Sequence, residues 1–355
     1  AAVTADVALD GVSVRLAPEL PMLELGNLSG RLQFAHEGDA WQVATRRLAL
    51  ATADGVAIAP ADVSLRWHSH GGEFSATRLD LGDLLRLSAH LPLAEPVRRE
   101  LDRYAPRGRL RNCTFTWGGD AQHPFRRYRI EGSFDGLTLS PGGAIPGVAG
   151  LSGSIAGDQA GGRIDIASRD AALDLPTVFP ESRIALASLD ANLEWTRSGE
   201  DFSIELTRAS FRNADAEGRA SGHYRRRRAG TPGEIDLDAK LTRGEGNAVW
   251  RYLPHAVNAD TRNWLRDGVT EGRADDVTLK LKGDLAHFPF TDRSGVFRIQ
   301  GRFRGATLKP APGWPAIEDI TGDLLFDAAR MRIGASQGQI LGATVGPVVA
   351  EIADL

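Results

Sequence analysis

The chain contains a single cysteine, Cys113, among its 355 residues. One thiol cannot build an intrachain disulfide framework or a cysteine-based zinc site, so both are excluded. The sequence has no run of about 18 consecutive apolar residues, and therefore no candidate transmembrane helix. Its first residues, AAVTADVALDG, also lack the basic and apolar regions of a signal peptide.

An excess of charge of one sign is also lacking. The 42 Lys and Arg residues are balanced by 46 Asp and Glu residues, which leaves a net charge of -4. No global field would draw this chain to nucleic acid or to an anionic membrane surface, so we expect no nucleic-acid partner. A hydrophobic content of 42% can bury a sizeable core and excludes a disordered chain.

Alternation of apolar and polar residues dominates the sequence, as is typical of β-strands with one apolar face. In one such segment Leu193 and Trp195 alternate with Asn192 and Glu194. About 20 to 25 similar segments recur along the chain, separated by glycines and short polar turns. The sequence therefore predicts a mainly β fold: a long, twisted antiparallel sheet, curled into an open groove and built from repeats.

Two regions, at about 82–104 and 246–269, depart from this alternation and predict two short helical insertions. In the second region we expect Asn247 and Asn258 each to cap a helix, since an asparagine side chain can accept a hydrogen bond from a backbone N–H of the first helical turn. In this second region Trp250, Leu253, Val257 and Trp264 fall at spacings of three, four and seven, and they are best explained as an apolar stripe that docks on the sheet.

The chain also contains a large internal repeat. Residues 108–120 align with 272–284, and residues 128–141 align with 297–310. A third, partial copy appears near the start, and strand-like patterns run up to both ends, so we expect this chain to be part of a longer protein. The predicted division is a partial β-groove repeat at 1–81, a repeat at 82–245 that begins with a helical segment, and a repeat at 246–355 that begins likewise and is truncated.

The apolar face of such a sheet must be covered by helices, by another sheet or by a hydrophobic ligand. The two helical regions are too short to line it, so we expect lipid acyl chains in the groove. The residues predicted to line it are Phe115, Trp117, Leu193, Trp195, Phe202, Ile204, Leu237, Leu279, Leu281, Phe297, Ile299 and Phe303. Two alternatives stay open: a structural or assembly scaffold of the cell envelope with a closed, self-packed β interior, and an enzyme acting on an envelope lipid or glycan.

Motifs for covalent chemistry are lacking, and we predict no catalytic residue, metal or cofactor. His68 and His70 lie on one side of a strand, but two ligands are too few for a metal site. The only dense charge cluster is the run from Arg225 to Arg228. It is interpreted as a solvated hairpin tip, with a contact to lipid phosphates or lipopolysaccharide as the functional alternative.

Residues 249–290 and 295–326 carry a family resemblance through their Tyr-Leu-Pro, Trp-Leu, Phe-Pro-Phe and Gly-Trp-Pro elements. They resemble the YhdP branch of the AsmA-like proteins of Gram-negative bacteria, which are repeating β-groove lipid-transfer bridges. The resemblance implies a non-enzymatic periplasmic segment that binds phospholipid acyl chains for transport between the inner and outer membranes. It implies three partners: phospholipid, neighbouring segments of the same longer chain, and the inner membrane through an N-terminal anchor absent from this sequence.

Overall fold

The computed structural model describes residues 2–93, 95–120, 123, 125–143 and 145–354. Among these residues, nineteen strands form one antiparallel sheet that does not close on itself. Successive strands pair in chain order as a meander, and β18 and β19 both pair with β17. The predicted fold class, a mainly β chain with an open antiparallel sheet and short helices, is confirmed.

The chain divides into two compact units, Ala1–Ser168 and Arg169–Leu355. The first unit holds β1 (Ala2–Val14), β2 (Leu23–Glu37), β3 (Ala40–Thr52), β4 (Ala57–His68), β5 (Gly71–Asp80), β6 (Arg107–Gly118), β7 (Arg127–Leu139), β8 (Gly147–Asp158) and the first part of β9 (Gly161–Asp174). The second unit holds β10 (Arg183–Ser198), β11 (Asp201–Arg212), β12 (Ala216–Arg226), β13 (Glu234–Glu245), β14 (Val269–Asp284), β15 (Val296–Leu308), β16 (Ile317–Asp327), β17 (Arg330–Ile340), β18 (Ala343–Val345) and β19 (Val348–Ile352).

Helices occur in both regions where the sequence predicts them. The first region forms α1 (Leu81–Leu87), a 3-10 turn (Ser88–His90) and α2 (Glu95–Tyr104); the second forms a 3-10 helix (Gly246–Tyr252) and α3 (Ala259–Gly268). A further 3-10 turn, Leu285–His287, was not predicted. In the first unit α1 contacts β5 and β6, and in the second unit α3 and the 3-10 helix contact β14.

The two predicted asparagine caps have different outcomes. The side chain of Asn258 accepts a hydrogen bond from the backbone N–H of Thr261 at 2.8 Å, which confirms the cap of α3. The prediction for Asn247 is wrong, because this residue lies inside the 3-10 helix and Glu245 precedes that helix. The Glu245 side chain makes no capping hydrogen bond. Its backbone N–H donates a hydrogen bond to the carbonyl oxygen of Asp215 at 2.8 Å. The chain therefore passes from β13 into the helix without an asparagine cap.

The aligned repeat segments share backbone geometry. Asn112 and Asp276 occupy equivalent positions, both have positive φ (48° and 61°), and the strand register shifts beside each. Gly136 and Gly305 are also equivalent, with φ of 64° and 58°. A β-bulge bends its strand and increases the local twist, so the repeat places the same bends in corresponding strands. The division into three repeat segments stays a prediction.

Candidate functional site

In the second unit, apolar side chains form continuous rows across the strands. Antiparallel pairing places one residue of each strand beside a residue of the next on the same face, so alternating sequences produce rows perpendicular to the strands. One row crosses six strands through Leu193, Leu206, Gly222, Leu237, Leu281 and Phe297. The adjacent row contains Ala191, Ala209, Ala220, Ala239, Leu279, Ile299, Phe326 and Met331. We call the face formed by these rows the apolar face of the second unit.

The first unit has an apolar face of the same kind, with a row of aromatic residues toward one end of its strands. Trp41 pairs with Trp67, and their rings stack at 6.4 Å between centroids. Trp117 pairs with Tyr128 and stacks on Phe115 at 5.7 Å. The row beside it contains Phe34, Val43, Leu65, Phe74, Phe115 and Ile130.

All the predicted lining residues lie on these apolar faces. Phe115 and Trp117 belong to the first unit, and the others belong to the second. Phe202 and Ile204 of β11 pair with Arg197 and Trp195 of β10, and Phe303 pairs with Ala274 and Gly322. Their role as lining residues for a lipid stays a prediction.

Several residues of the same faces are absent from the predicted set. They include Trp41, Trp67, Tyr128 and Tyr224, which pair with aromatic or aliphatic residues of neighbouring strands. Their alternation with polar neighbours, as in Tyr224 between His223 and Arg225, is the signal that could have identified them. Glycines such as Gly222 lie at positions of the apolar face but contribute no apolar side chain. The alternation of apolar and polar residues is therefore harder to recognise in the sequence of these strands.

Protein covers these faces incompletely. In β10, Leu186, Leu189 and Ala191 are buried, whereas Leu193 and Trp195, farther along the strand, are half-buried. The described strands belong to one sheet that is not closed into a barrel, and the scaffold hypothesis with a self-packed interior stays an alternative.

The opposite face of the second unit is polar and carries ion pairs. The Lys280 ammonium lies 2.5 Å from Asp236 and 2.6 Å from Asp238, and Lys282 lies 2.8 Å from Asp236. A shallow depression of about 570 Å³ on this face is lined largely by polar residues, among them Arg208, Arg219, Lys240 and Gln300. A twisted sheet is saddle-shaped, so its polar face can also be locally concave.

Asp236 carries a pH dependence that can be measured. Hydrogen bonds from Lys280 and Lys282 lower the pKa of Asp236 from 3.8 to about 2. Because the pKa is lowered in the folded state, the stabilisation is fully present above pH 3.8 and is lost as the pH falls through about 2. We expect Asp236→Asn to lower the free energy of unfolding at pH 7 by about 1 kcal/mol, given the partial exposure of the pair.

Urea unfolding at pH 7, 4, 3 and 2 tests this expectation. The difference between the unmodified chain and Asp236→Asn should shrink toward pH 2. A suitable control is Glu205→Gln, because Glu205 makes no ion pair among the described residues. A difference for Asp236→Asn that stays constant over the whole pH range would contradict the role assigned to these lysines.

Within the part of the chain that the structure describes, no group of three or more His, Cys, Asp or Glu residues could hold a metal ion. His68 and His70 lie at the β4–β5 hairpin, where the His68 Nδ1 accepts a hydrogen bond from the His70 backbone N–H at 3.2 Å. Cys113 is buried on the apolar face beside Ala76, and burial raises the pKa of its thiol. No helix in the described ranges is long and apolar enough to cross a membrane.

Comparison with known proteins places this chain in a family. The family profile described as "YhdP protein" matches residues 1–355. The Intermembrane phospholipid transporter YhdP of Escherichia coli (strain K12) is 23% identical over 227 residues, which are 63% of this chain and 18% of that protein. The match thus spans about a fifth of the length of the curated relative. A search of solved structures found no match. The chain belongs to the YhdP family.

Proposed function

We propose that this chain is a periplasmic segment of a lipid-conducting bridge, whose apolar faces line a groove that binds phospholipid acyl chains during transport between the inner and outer membranes. The observation that supports this proposal most strongly is the pair of adjacent rows across β10 to β15, in which most residues are apolar and half-buried. The printed name of the Escherichia coli relative, an intermembrane phospholipid transporter, supports the substrate class. The proposed function involves no covalent chemistry.

The dimensions of the apolar rows suit an acyl chain. The row from Leu193 to Phe297 crosses six strands, which corresponds to about 24 Å at the usual strand spacing. A bilayer has a hydrocarbon core about 30 Å thick, so the acyl chains of one leaflet occupy about 15 Å. One row is therefore long enough for one tail. Each methylene buried against the row contributes about 0.8 kcal/mol, with no need for a specific contact.

The same rows provide a physical path for movement. Neighbouring positions along a row are similar apolar side chains, such as Leu237 beside Leu281, so a tail that shifts by one strand exchanges equivalent contacts. The hydrophobic effect is non-directional and proportional to buried apolar area, and this favours sliding over binding at one fixed point. In the full-length protein, neighbouring segments of the chain would continue the groove, and an N-terminal anchor would attach it to the inner membrane.

Lipid extraction and mass spectrometry test the proposal directly. The chain is produced in a Gram-negative host and purified without detergent, and its organic extract is compared with that of an unrelated soluble protein purified in parallel. We expect phospholipid in the extract of this chain at a stoichiometry well above the control. Absence of bound lipid in several independent preparations, combined with no uptake of added phospholipid, would count decisively against the proposal.

A further inference from the structure

The arginine run at the β12–β13 hairpin is divided between the two faces of the sheet. On the polar face Arg225 binds Asp201 at 3.1 Å, and beyond the strand end Arg227 pairs with Glu234 at 3.7 Å. Arg226 follows Tyr224 by two residues and pairs in register with Phe202, so it projects on the apolar face. The interpretation of the whole run as a solvated tip therefore does not describe Arg226.

Arg226 has unsatisfied hydrogen-bonding capacity at the end of the apolar face. Its guanidinium carbon lies 5.8 Å from the centroid of the Phe202 ring. Its Nε is buried and has no hydrogen-bond partner. Among the described residues, no carboxylate makes an ion pair with Arg226. A buried N–H without an acceptor is unfavourable, and a ligand oxygen placed there would relieve it.

A second arginine lies on the other side of the same phenylalanine. Arg197 pairs with Phe202 from β10, is exposed, and donates from Nε to the carbonyl of Gly199 at 3.5 Å. It too makes no ion pair with a carboxylate in the part of the chain that the structure describes. The next row on the same face consists of Trp195, Ile204, Tyr224 and Ile235. We call Arg197, Phe202 and Arg226 the arginine rim.

We propose that the arginine rim binds the phosphate of a phospholipid whose acyl chains lie on the apolar face of the second unit. This inference rests on the proposed function and adds a head-group site to it. The guanidinium fork matches phosphate oxygens and forms short, charge-assisted hydrogen bonds. Arg226 and Arg197 supply two cations where the apolar rows end. One phospholipid can therefore place its phosphate on the arginines and its acyl chains on the apolar rows.

The position of the arginine rim also indicates at which ends of the strands the lipid head groups would lie. In β13 the residues nearest the rim are those that follow the β12–β13 hairpin, beginning at Glu234, whereas the 3-10 helix Gly246–Tyr252 follows the opposite end of the strand. The 3-10 helix Gly246–Tyr252 and α3 thus lie at one set of strand ends, and the arginine rim lies at the other set, where the short 3-10 turn Leu285–His287 follows β14. Head groups at the hairpin ends would stay in water while the tails remain on the apolar rows.

Binding measurements with short-chain lipids test the rim. The full chain is titrated at low salt with dihexanoylphosphatidylglycerol, with dihexanoylglycerol, which lacks the phosphate, and with inorganic phosphate. We expect Arg197→Gln/Arg226→Gln to weaken binding of the phosphatidylglycerol about tenfold and to leave binding of dihexanoylglycerol unchanged. The matched control Arg225→Gln/Arg227→Gln removes the same amount of charge, here from the β12–β13 hairpin alone, and should leave both affinities unchanged.

The three ligands separate the possible outcomes. Equal affinity of the unmodified chain and the rim variant for phosphatidylglycerol would overturn the rim while leaving the proposed function intact. Failure of both lipids to bind the unmodified chain would overturn the proposed function and the rim together. Inorganic phosphate that binds as tightly as the lipid, with the same dependence on the arginines, would overturn a lipid site. If the double variant does not fold, the exposed Arg197→Gln alone is tested, with a severalfold weakening expected.

Discussion

Leu279→Asp is expected to reduce the phospholipid bound by this chain by an order of magnitude, about tenfold. Leu279 lies between Ala239 and Ile299 in a cross-strand row, so its side chain is surrounded by apolar neighbours on both sides. A carboxylate at this point must keep water around it or take up a proton, and either requirement interrupts the dry surface that a tail needs. The amount of lipid per protein, measured by mass spectrometry after incubation with phospholipid, gives the result.

The matched control for this substitution is Thr278→Asp. Thr278 is the preceding residue of β14, faces the polar side, and pairs with Lys240, so an added carboxylate is placed beside a cation. The neighbouring Lys280 is unsuitable as a control, because it pairs with Asp236 and Asp238 and an aspartate there would face two carboxylates. Thr278→Asp should bind lipid like the unmodified chain.

Circular dichroism establishes whether each variant keeps the β-sheet, since an aspartate in an apolar row also destabilises the fold. Leu279→Asn provides a second variant that introduces polarity without a charge and should show a smaller loss of bound lipid. Lipid binding that is equally tolerant of Leu279→Asp and Thr278→Asp in folded protein would refute the assignment of the two faces.

The face assignment could be predicted from the sequence because strand alternation and hairpin connections act together. Once Leu237 and Asp238 are placed on opposite sides of β13, antiparallel pairing with β14 fixes Leu281 and Lys280 on the matching sides. Local pattern and global topology thus lead to the same arrangement. The cap at Asn258 was predictable for a similar reason, since its bond to Thr261 depends on residues only three positions apart.

Features that depend on distant strands were not predictable in this way. The bulges at Asn112 and Asp276 shift the register by a residue, and alternation carries no mark of such a shift. Arg226 lies on a different face from Arg225 because β12 continues through Arg226. The composition of the sequence that follows the arginine run suggests instead that the strand has already ended. The depression on the polar face is lined by residues of β11 to β15, and no short segment of sequence specifies how five strands curve together.

Gly322→Ala is expected to destabilise the chain by about 3 kcal/mol or more, because the sheet leaves no room for a methyl group at this position. A Cβ atom at residue 322 would lie 2.1 Å from the carbonyl oxygen of Gly334 on β17, and 3.1 Å from the Cα of Ala335. These are backbone atoms of a paired strand, so β16 and β17 must move apart. Gly153, which aligns with Gly322 in the repeat, would place its Cβ 2.1 Å from Asp165 O.

Thermal and urea unfolding of Gly322→Ala, Gly153→Ala and Gly346→Ala test this steric argument. Gly346 has nothing within 4 Å of its Cβ position, so Gly346→Ala should change stability by no more than about 0.5 kcal/mol. Similar large losses for Gly322→Ala and Gly153→Ala would show that the two repeats place adjacent strands equally close together. Because the same close approach keeps the apolar rows continuous from strand to strand, folded Gly322→Ala protein should also bind less phospholipid. Wild-type stability for Gly322→Ala would mean that β16 and β17 are not packed this closely in solution.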